Sequence, residues 1–483
     1  MINRLYTILT MAFLTFGVIQ NPSYASNNVL PDIGSNALST ISYEKEKILG
    51  DILMRQTRAR MPVDYDPLIS EYLNALGNKL ITYADDIHFP FNFFVVKDKN
   101  INAFAFFGGN VAVNTGLISM TENESELASV LTHEISHVTQ RHLSRRFESQ
   151  KLNSPLTLAG LLTGVLLAVL SPEAGMATIM ATQAGAAQSS INFTRANEKE
   201  ADRIGIKILA IAGFDPYAAP SFFDKLGARF RYTSTPPAFL MTHPLPESRV
   251  ADSKLRAQQF PRFPRAASLD FHLVKSRIKA RYELKPKEAV KYFKNMIKTK
   301  NYVLIEAAQY GLALAYTDSD QLKKAEAEIQ QLLFRDAKNL YYIDTYTDIL
   351  TKMQKFDTAI AFLEQHYKLR PNNPVVTLNY ASVAIEAKKP QIAVDLLNRY
   401  TISHGQDYIA TDLLTTAYGQ MKNLAKYHEM RAQTFALISL YDQSIEELKL
   451  SLAKLGDDKI LESKRLIALQ KRYRDKLEQI KQL

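Results

Sequence analysis

Leu131-Thr132-His133-Glu134-Ile135-Ser136-His137 is the stretch on which the fold turns. His133 and His137 are four residues apart, so on a helix both imidazoles project from one face, about one turn apart. That spacing suits two ring nitrogens gripping one tetrahedral zinc ion. Glu134 lies beside the first imidazole, where a carboxylate can take a proton from an attacking water and pass it to a leaving amine. Leu127, Val130, Leu131 and Val138 are apolar and nothing between them breaks a helix, so a buried helix is expected. Thr121, followed three residues later by Glu124, matches a capping box and predicts its start.

Two imidazoles need a third protein ligand and an open position for water. The segment Asn197-Glu198-Lys199-Glu200-Ala201-Asp202-Arg203 opens another helix, and Glu198 and Asp202 share one face of it. Glu198 is the expected ligand, and Asp202 is expected to accept from the far nitrogen of a ligand histidine, fixing its tautomer. Small Ala201 lets the two helices approach closely, and Glu200 would point elsewhere. Glu200 as ligand is the alternative. Taken alone, the segment reads first as an exposed acidic helix start that complements the helix dipole.

Working outward, residues 40–84 carry helical periodicity, and 89–96, 102–106 and 110–115 read as short strands. Gly108-Gly109 is the turn between the last two. Asn110, Val111, Ala112 and Val113 are expected to form an exposed edge strand that accepts an extended peptide through backbone hydrogen bonds, with a purely internal strand as the alternative. His142 follows His137 by five residues and is expected to turn away as a structural residue.

Residues 1–25 have the layout of a cleavable secretory signal: Arg4, an apolar run from Leu5 to Ile19, and the small-x-small end Ser23-Tyr24-Ala25. An uncleaved anchor is the alternative. The 483 residues contain no Cys, which excludes thiol catalysis, Cys-ligated zinc and disulfides. The net charge of +10 is scattered along helices rather than gathered into a patch, which argues against nucleic acid and allows peripheral membrane contact. Between 152 and 187 lie two apolar stretches, expected as a partly buried hairpin near the site, with membrane insertion as the alternative.

From about residue 265 the pattern is all-helical and repeats. Ala289, Ala325, Ala359 and Ala393 recur at intervals of 36, 34 and 34 residues. A period near 34 is that of tetratricopeptide repeats, whose concave face suits a peptide or helix. Residues 470–483 are expected to be a fraying terminal helix.

His133-Glu134-x-x-His137 followed by Glu198-x-x-Ala201-Asp202 resembles the M48 peptidases. With Asn102-Ala103-Phe104, Gly108-Gly109-Asn110, the signal and the repeats, the chain is most similar to a periplasmic, repeat-bearing branch of that family in Gram-negative bacteria. The resemblance implies an α+β zincin-like metallopeptidase domain, mostly helical with a small sheet, over residues 26–264. An all-α tetratricopeptide-repeat solenoid would follow over 265–483. It implies one zinc per chain and a periplasmic endopeptidase. Its clients would be unfolded or stalled outer-membrane β-barrel proteins, beside the assembly machinery. It also implies that His243, in Met241-Thr242-His243-Pro244-Leu245-Pro246-Glu247-Ser248-Arg249, is a regulatory gate able to occupy the open position, with a structural histidine held by the loop as the alternative; Arg249 is expected to anchor the loop to an acidic residue at the site's rim. A chaperone or scaffold with a silent zinc site is the competing reading, and the retained Glu134 counts against it.

Overall fold

The computed structural model describes residues 41–149, 187–230, 237–262, 265–456 and 458–481. The expected signal lies outside the described residues, as does the apolar segment except for its last residue, Ala187. Among the described residues no helix is long and apolar enough to cross a membrane.

Helices α1 (Tyr43–Arg60) and α2 (Pro67–Ile81) come first. Ser42 caps one by accepting from the Lys45 amide, and Asp66 caps the other by accepting from that of Leu68. Strands β1 (Asn92–Val96), β2 (Ala103–Phe106) and β3 (Asn110–Asn114) form one sheet in the order β1-β3-β2. β1 is parallel to β3 and β2 antiparallel to it. Gly108 and Gly109 turn the chain between β2 and β3 at φ +76°, a region side chains rarely adopt.

This topology corrects the expectation for Asn110, Val111, Ala112 and Val113. They lie in the central strand, buried throughout and paired on both sides, so they offer no free edge. The hairpin partner β2 covers only one side of β3. β1 pairs with its other side, and the apolar Phe93-Phe94-Val95-Val96 of β1 is buried on the sheet faces. The edge beyond β2 is the one left over.

After α3 (Thr115–Met120) comes α4 (Glu124–Thr139), which carries the His-Glu-His motif. Its cap is Asn123, whose side chain accepts from the Glu126 amide at 3.0 Å, and not the expected Thr121. The Thr121 hydroxyl is committed to the preceding helix, donating to Ile118 O at 2.8 Å. Leu127, Leu131 and Ile135 are wholly buried, and each such side chain contributes about 2 kcal/mol. Next are α5 (His142–Ser149) and α6 (Ala187–Ile211), and α6 packs directly along α4. Ala201 is fully buried, and a Cβ on Gly205 would stand 3.1 Å from the His133 amide nitrogen. The two small residues let the backbones approach and so bring carboxylates from one helix to imidazoles on the other. α7 (Ala218–Phe230), α8 (Ala238–Thr242) and α9 (Glu247–Ala257) complete this half.

Everything regular from Leu269 onward is helical. After α10 (Leu269–Ile278) and α11 (Pro286–Lys298) come the pairs α12 (Ile305–Asp318) and α13 (Leu322–Arg335), α14 (Leu340–Lys352) and α15 (Phe356–Leu369), α16 (Pro374–Glu386) and α17 (Pro390–His404), α18 (Tyr408–Gln420) and α19 (Leu424–Leu437), and α20 (Tyr441–Ala453) and α21 (Ile460–Lys481). Four pairs turn through a left-handed residue, Asp320, Gln354, Lys388 and Lys422, at intervals of 34. At each turn the next amide closes back five residues, for example Lys355 N to Leu350 O at 2.9 Å and Lys389 N to Ala384 O at 2.8 Å. Ala289, Ala325, Ala359 and Ala393 are all fully buried. The terminal helix is packed rather than fraying: Leu466 and Tyr473 are buried, and Tyr473 meets Tyr441.

The repeats fold back on the first two helices. Arg277 of α10, 3% exposed, joins Asp66 to Asp344 and donates to the Tyr310 hydroxyl oxygen at 2.9 Å. The Tyr282 hydroxyl donates to Asp64 at 3.0 Å, and Tyr65 stacks on Tyr408. Asn373 donates to Glu71 at 3.0 Å, and Arg55 donates to Ala436 O at 2.8 Å.

Candidate metal centre

His133 and His137 on α4, Glu198 on α6 and His243 at the end of α8 converge, with one ligand atom from each lying within 4.8 Å of the others. His133 Nε2 is 3.0 Å from His137 Nε2, 3.3 Å from His243 Nδ1 and 3.4 Å from Glu198 Oε2. Glu198 Oε1 is 3.3 Å from His137 Nε2, and Glu198 Oε2 is 3.1 Å from His243 Nδ1. Four donors at tetrahedral corners about 2.0–2.1 Å from one ion would stand about 3.3–3.4 Å apart, so the residues present fit a single divalent cation. All but His137 are nearly closed to solvent.

Behind the cluster stands a shell of charge. Asp202 Oδ1 is 3.0 Å from His133 Nδ1, on the far side of the ring from the cluster. Arg249, 2% exposed, donates to both Asp202 oxygens at 2.7 and 2.8 Å, lies 2.8 Å from Glu198 Oε2 and donates to Pro244 O at 2.7 Å. It therefore anchors the His243 loop from inside the site, not at its rim. Glu134 is 1% exposed, with Oε1 3.4 Å from His243 Nε2.

Protonation follows from this packing. Burial pushes the His137 imidazole down to about 3 and keeps it neutral, the form that binds a cation. Burial also opposes charge on His133, but the hydrogen-bonding Asp202 and Glu198 outweigh it and raise that ring to about 10, so a cation binding at its Nε2 must displace a proton. Burial works against the Glu198 charge too, yet His243 and His137 hold the carboxyl well below its usual range. Burial is the largest influence on Glu134 and raises it, against the lowering effect of His243 and His133.

A cleft of about 210 Å3 opens beside these groups. Phe104, Ala105 and Phe106 of β2 line it, with Glu134, His137 and His243. The β2 edge thus faces the cluster, as was expected of β3.

Glu200 turns away from the cluster, 3.0 Å from His142 Nε2 and 2.9 Å from Arg145. His142 does not turn away: its Nδ1 is 2.9 Å from His137 Nδ1. Reading α4 as one unbroken helix hid that contact. A residue of the wrong helical phase just past the motif, followed by two arginines, was the available signal.

A buried His-Glu-x-x-His helix crossed by a carboxylate-bearing helix defines a metallopeptidase. The profile of peptidase family M48 matches residues 67–257. The beta-barrel assembly-enhancing protease of Escherichia coli strain K12 is 41% identical over 476 residues, 98% of this chain and 95% of that protein. The putative beta-barrel assembly-enhancing protease of Vibrio cholerae serotype O1 is 43% identical over 428 residues, 88% of each. The metalloprotease LoiP of E. coli is 25% identical over 226 residues, 45% of this chain and 84% of that protein. This chain belongs to peptidase family M48 and is a metal-dependent peptidase.

Proposed function

We propose that the chain is a periplasmic zinc endopeptidase acting on unfolded or stalled outer-membrane β-barrel proteins near their assembly machinery. The convergence of two imidazoles, a carboxylate and a third imidazole at tetrahedral spacing carries the reading. A closed set of nitrogen and oxygen donors without sulfur is one zinc accepts readily. The relatives' name, beta-barrel assembly-enhancing protease, supports the client class and with it the envelope location. Residues 1–25 serve as the export signal, 26–264 as the peptidase and 265–483 as the client-handling repeats.

His133, His137 and Glu198 hold the ion, and Asp202 orients His133. When bound, zinc polarises the scissile carbonyl and makes water a nucleophile at neutral pH. Glu134 takes the proton from the attacking water and delivers it to the departing amine, a role its burial favours. The client would lie along the outer edge of β2, where backbone pairing reads extension rather than sequence. This replaces Asn110–Val113 as the docking strand. His243, whose Nδ1 lies 3.1 Å from Glu198 Oε2, would act as a gate able to take the position left for water, and activation would then require the loop to withdraw.

Glu134→Gln tests the reading. Cleavage of casein or an unfolded barrel protein should fall about a thousandfold with zinc content unchanged, and cleavage near the wild-type rate would overturn it. His243 at the fourth corner also favours a second reading, a scaffold with a silent site. In that case Glu134→Gln would still support barrel assembly in cells as well as wild type.

A further inference from the structure

Three of the four converging side chains have an evident partner behind them. His133 backs onto Asp202, and Glu198 onto Arg249. His243 directs its second nitrogen at Glu134. For His137 the remaining nitrogen, Nδ1, meets His142.

This contact depends on a break in the chain. In a continuous helix, residues five apart point roughly 140° away from each other. Here α4 stops at Thr139, and Arg141 takes a left-handed φ of 52° before α5 begins at His142. Glu46 holds the break: its Oε1 accepts from Arg141 Nε at 2.8 Å, from Arg141 Nη2 at 2.6 Å and from the Ser144 hydroxyl at 2.6 Å. Arg141 also donates to Ile41 O at 2.6 Å. The reversal swings a 4% exposed imidazole back onto the ligand ring.

The hydrogen positions then have one consistent assignment. If Nε2 of His137 faces the ion, its proton sits on Nδ1 and is donated to His142 Nδ1. His142 must then carry its own proton on Nε2, where Glu200 Oε2 accepts it at 3.0 Å. Arg145 pairs with that same oxygen at 2.9 Å.

We infer that His142 is a positioning residue for metal binding, through which Glu200 orients His137 as Asp202 directly orients His133. The inference rests on His137 being a ligand, and the experiment separates the two claims. Zinc affinity of the full mature chain is measured by competition with a chromogenic chelator, beside thermal unfolding of the metal-free form. His142→Leu keeps side-chain bulk but offers no acceptor, and should weaken zinc binding about 10–100-fold. His142→Asn retains an acceptor near the Nδ1 position and should recover to within about threefold of wild type. Glu200→Gln, at a half-exposed site where folding is not at stake, should weaken binding less than His142→Leu but measurably. Cobalt substituted for zinc should show altered visible bands in His142→Leu and wild-type bands in His142→Asn.

Wild-type affinity in His142→Leu would overturn the positioning role alone. Equal losses in His142→Leu and His142→Asn would overturn it too, since packing rather than the hydrogen bond would then be responsible. A wild-type chain that binds no zinc, or a His137→Ala chain that binds it normally, would remove the ligand assignment and this inference together.

Discussion

Two arginines among the described residues are buried, each between two carboxylates, and they do different work. Arg249 joins Asp202 and Glu198, and Arg277 joins Asp66 and Asp344. The carboxylates around Arg249 also face imidazoles, which in turn face one another across a space fit for a cation. Those around Arg277 meet a tyrosine hydroxyl and an amide, Tyr282 on Asp66 and Asn379 on Asp344. One cluster points its unspent donor capacity inward at a common point. The other spends its capacity tying the repeats to the helices of the peptidase half. The same ion-pair chemistry makes a site when its partners can bind a metal, and a joint when they can only hydrogen-bond.

Substitution at the two arginines gives the largest expected effect on stability and the most direct way to break the comparison. Removing one partner from a buried pair leaves charge uncompensated and costs about 3–5 kcal/mol. Arg277→Met and Arg249→Met should both lower the unfolding midpoint in denaturant. Only Arg249→Met should also weaken zinc binding in the remaining folded protein. If Arg277→Met weakened zinc equally, the joint and the site would be one unit.

Next in size is a pH effect at the joint. Burial, reinforced by the neighbouring Asp66 charge, raises Asp64 from 3.8 to about 6. The folded state therefore holds this proton more tightly than the unfolded state does. Its contribution is full below pH 4 and is lost as pH rises through about 6. The shift of about two units corresponds to roughly 2–3 kcal/mol. Asp64→Asn should flatten this part of the stability profile between pH 4 and 7, measured by thermal unfolding. An unchanged profile would locate the titration elsewhere.

The smallest effect concerns the fourth corner. His243→Ala should raise peptidase turnover about tenfold, equivalent to about 1.4 kcal/mol, with zinc still bound through His133, His137 and Glu198. Equal or lower turnover would remove the gating role.

Some of this was legible in the chain. A separation of four residues within one helix fixes side-chain direction whatever surrounds it, so His133, Glu134 and His137 were readable as a set. So were Glu198 and Asp202. The 34-residue spacing was readable because each repeat closes its own turn with the same local hydrogen bonds, around alanines whose small size is needed in every copy. The sequence by itself thus determined that His133, His137 and Glu198 would share one face-to-face cluster, and the two-part architecture.

What it did not determine depended on where elements lie relative to one another. Asn110–Val113 has the composition of a strand in either position, and only the parallel arrival of β1 placed it in the centre and left β2 as the edge. His142 faces His137 because Glu46, nearly a hundred residues upstream, pins a break that helical phase does not foretell. Arg249 lies inside the site because α9 packs against α6, and His243 joins the cluster because the end of α8 brings it onto Glu198. Periodicity is a property of the backbone and is written locally, whereas convergence is a property of packing and exists only once distant segments share a core.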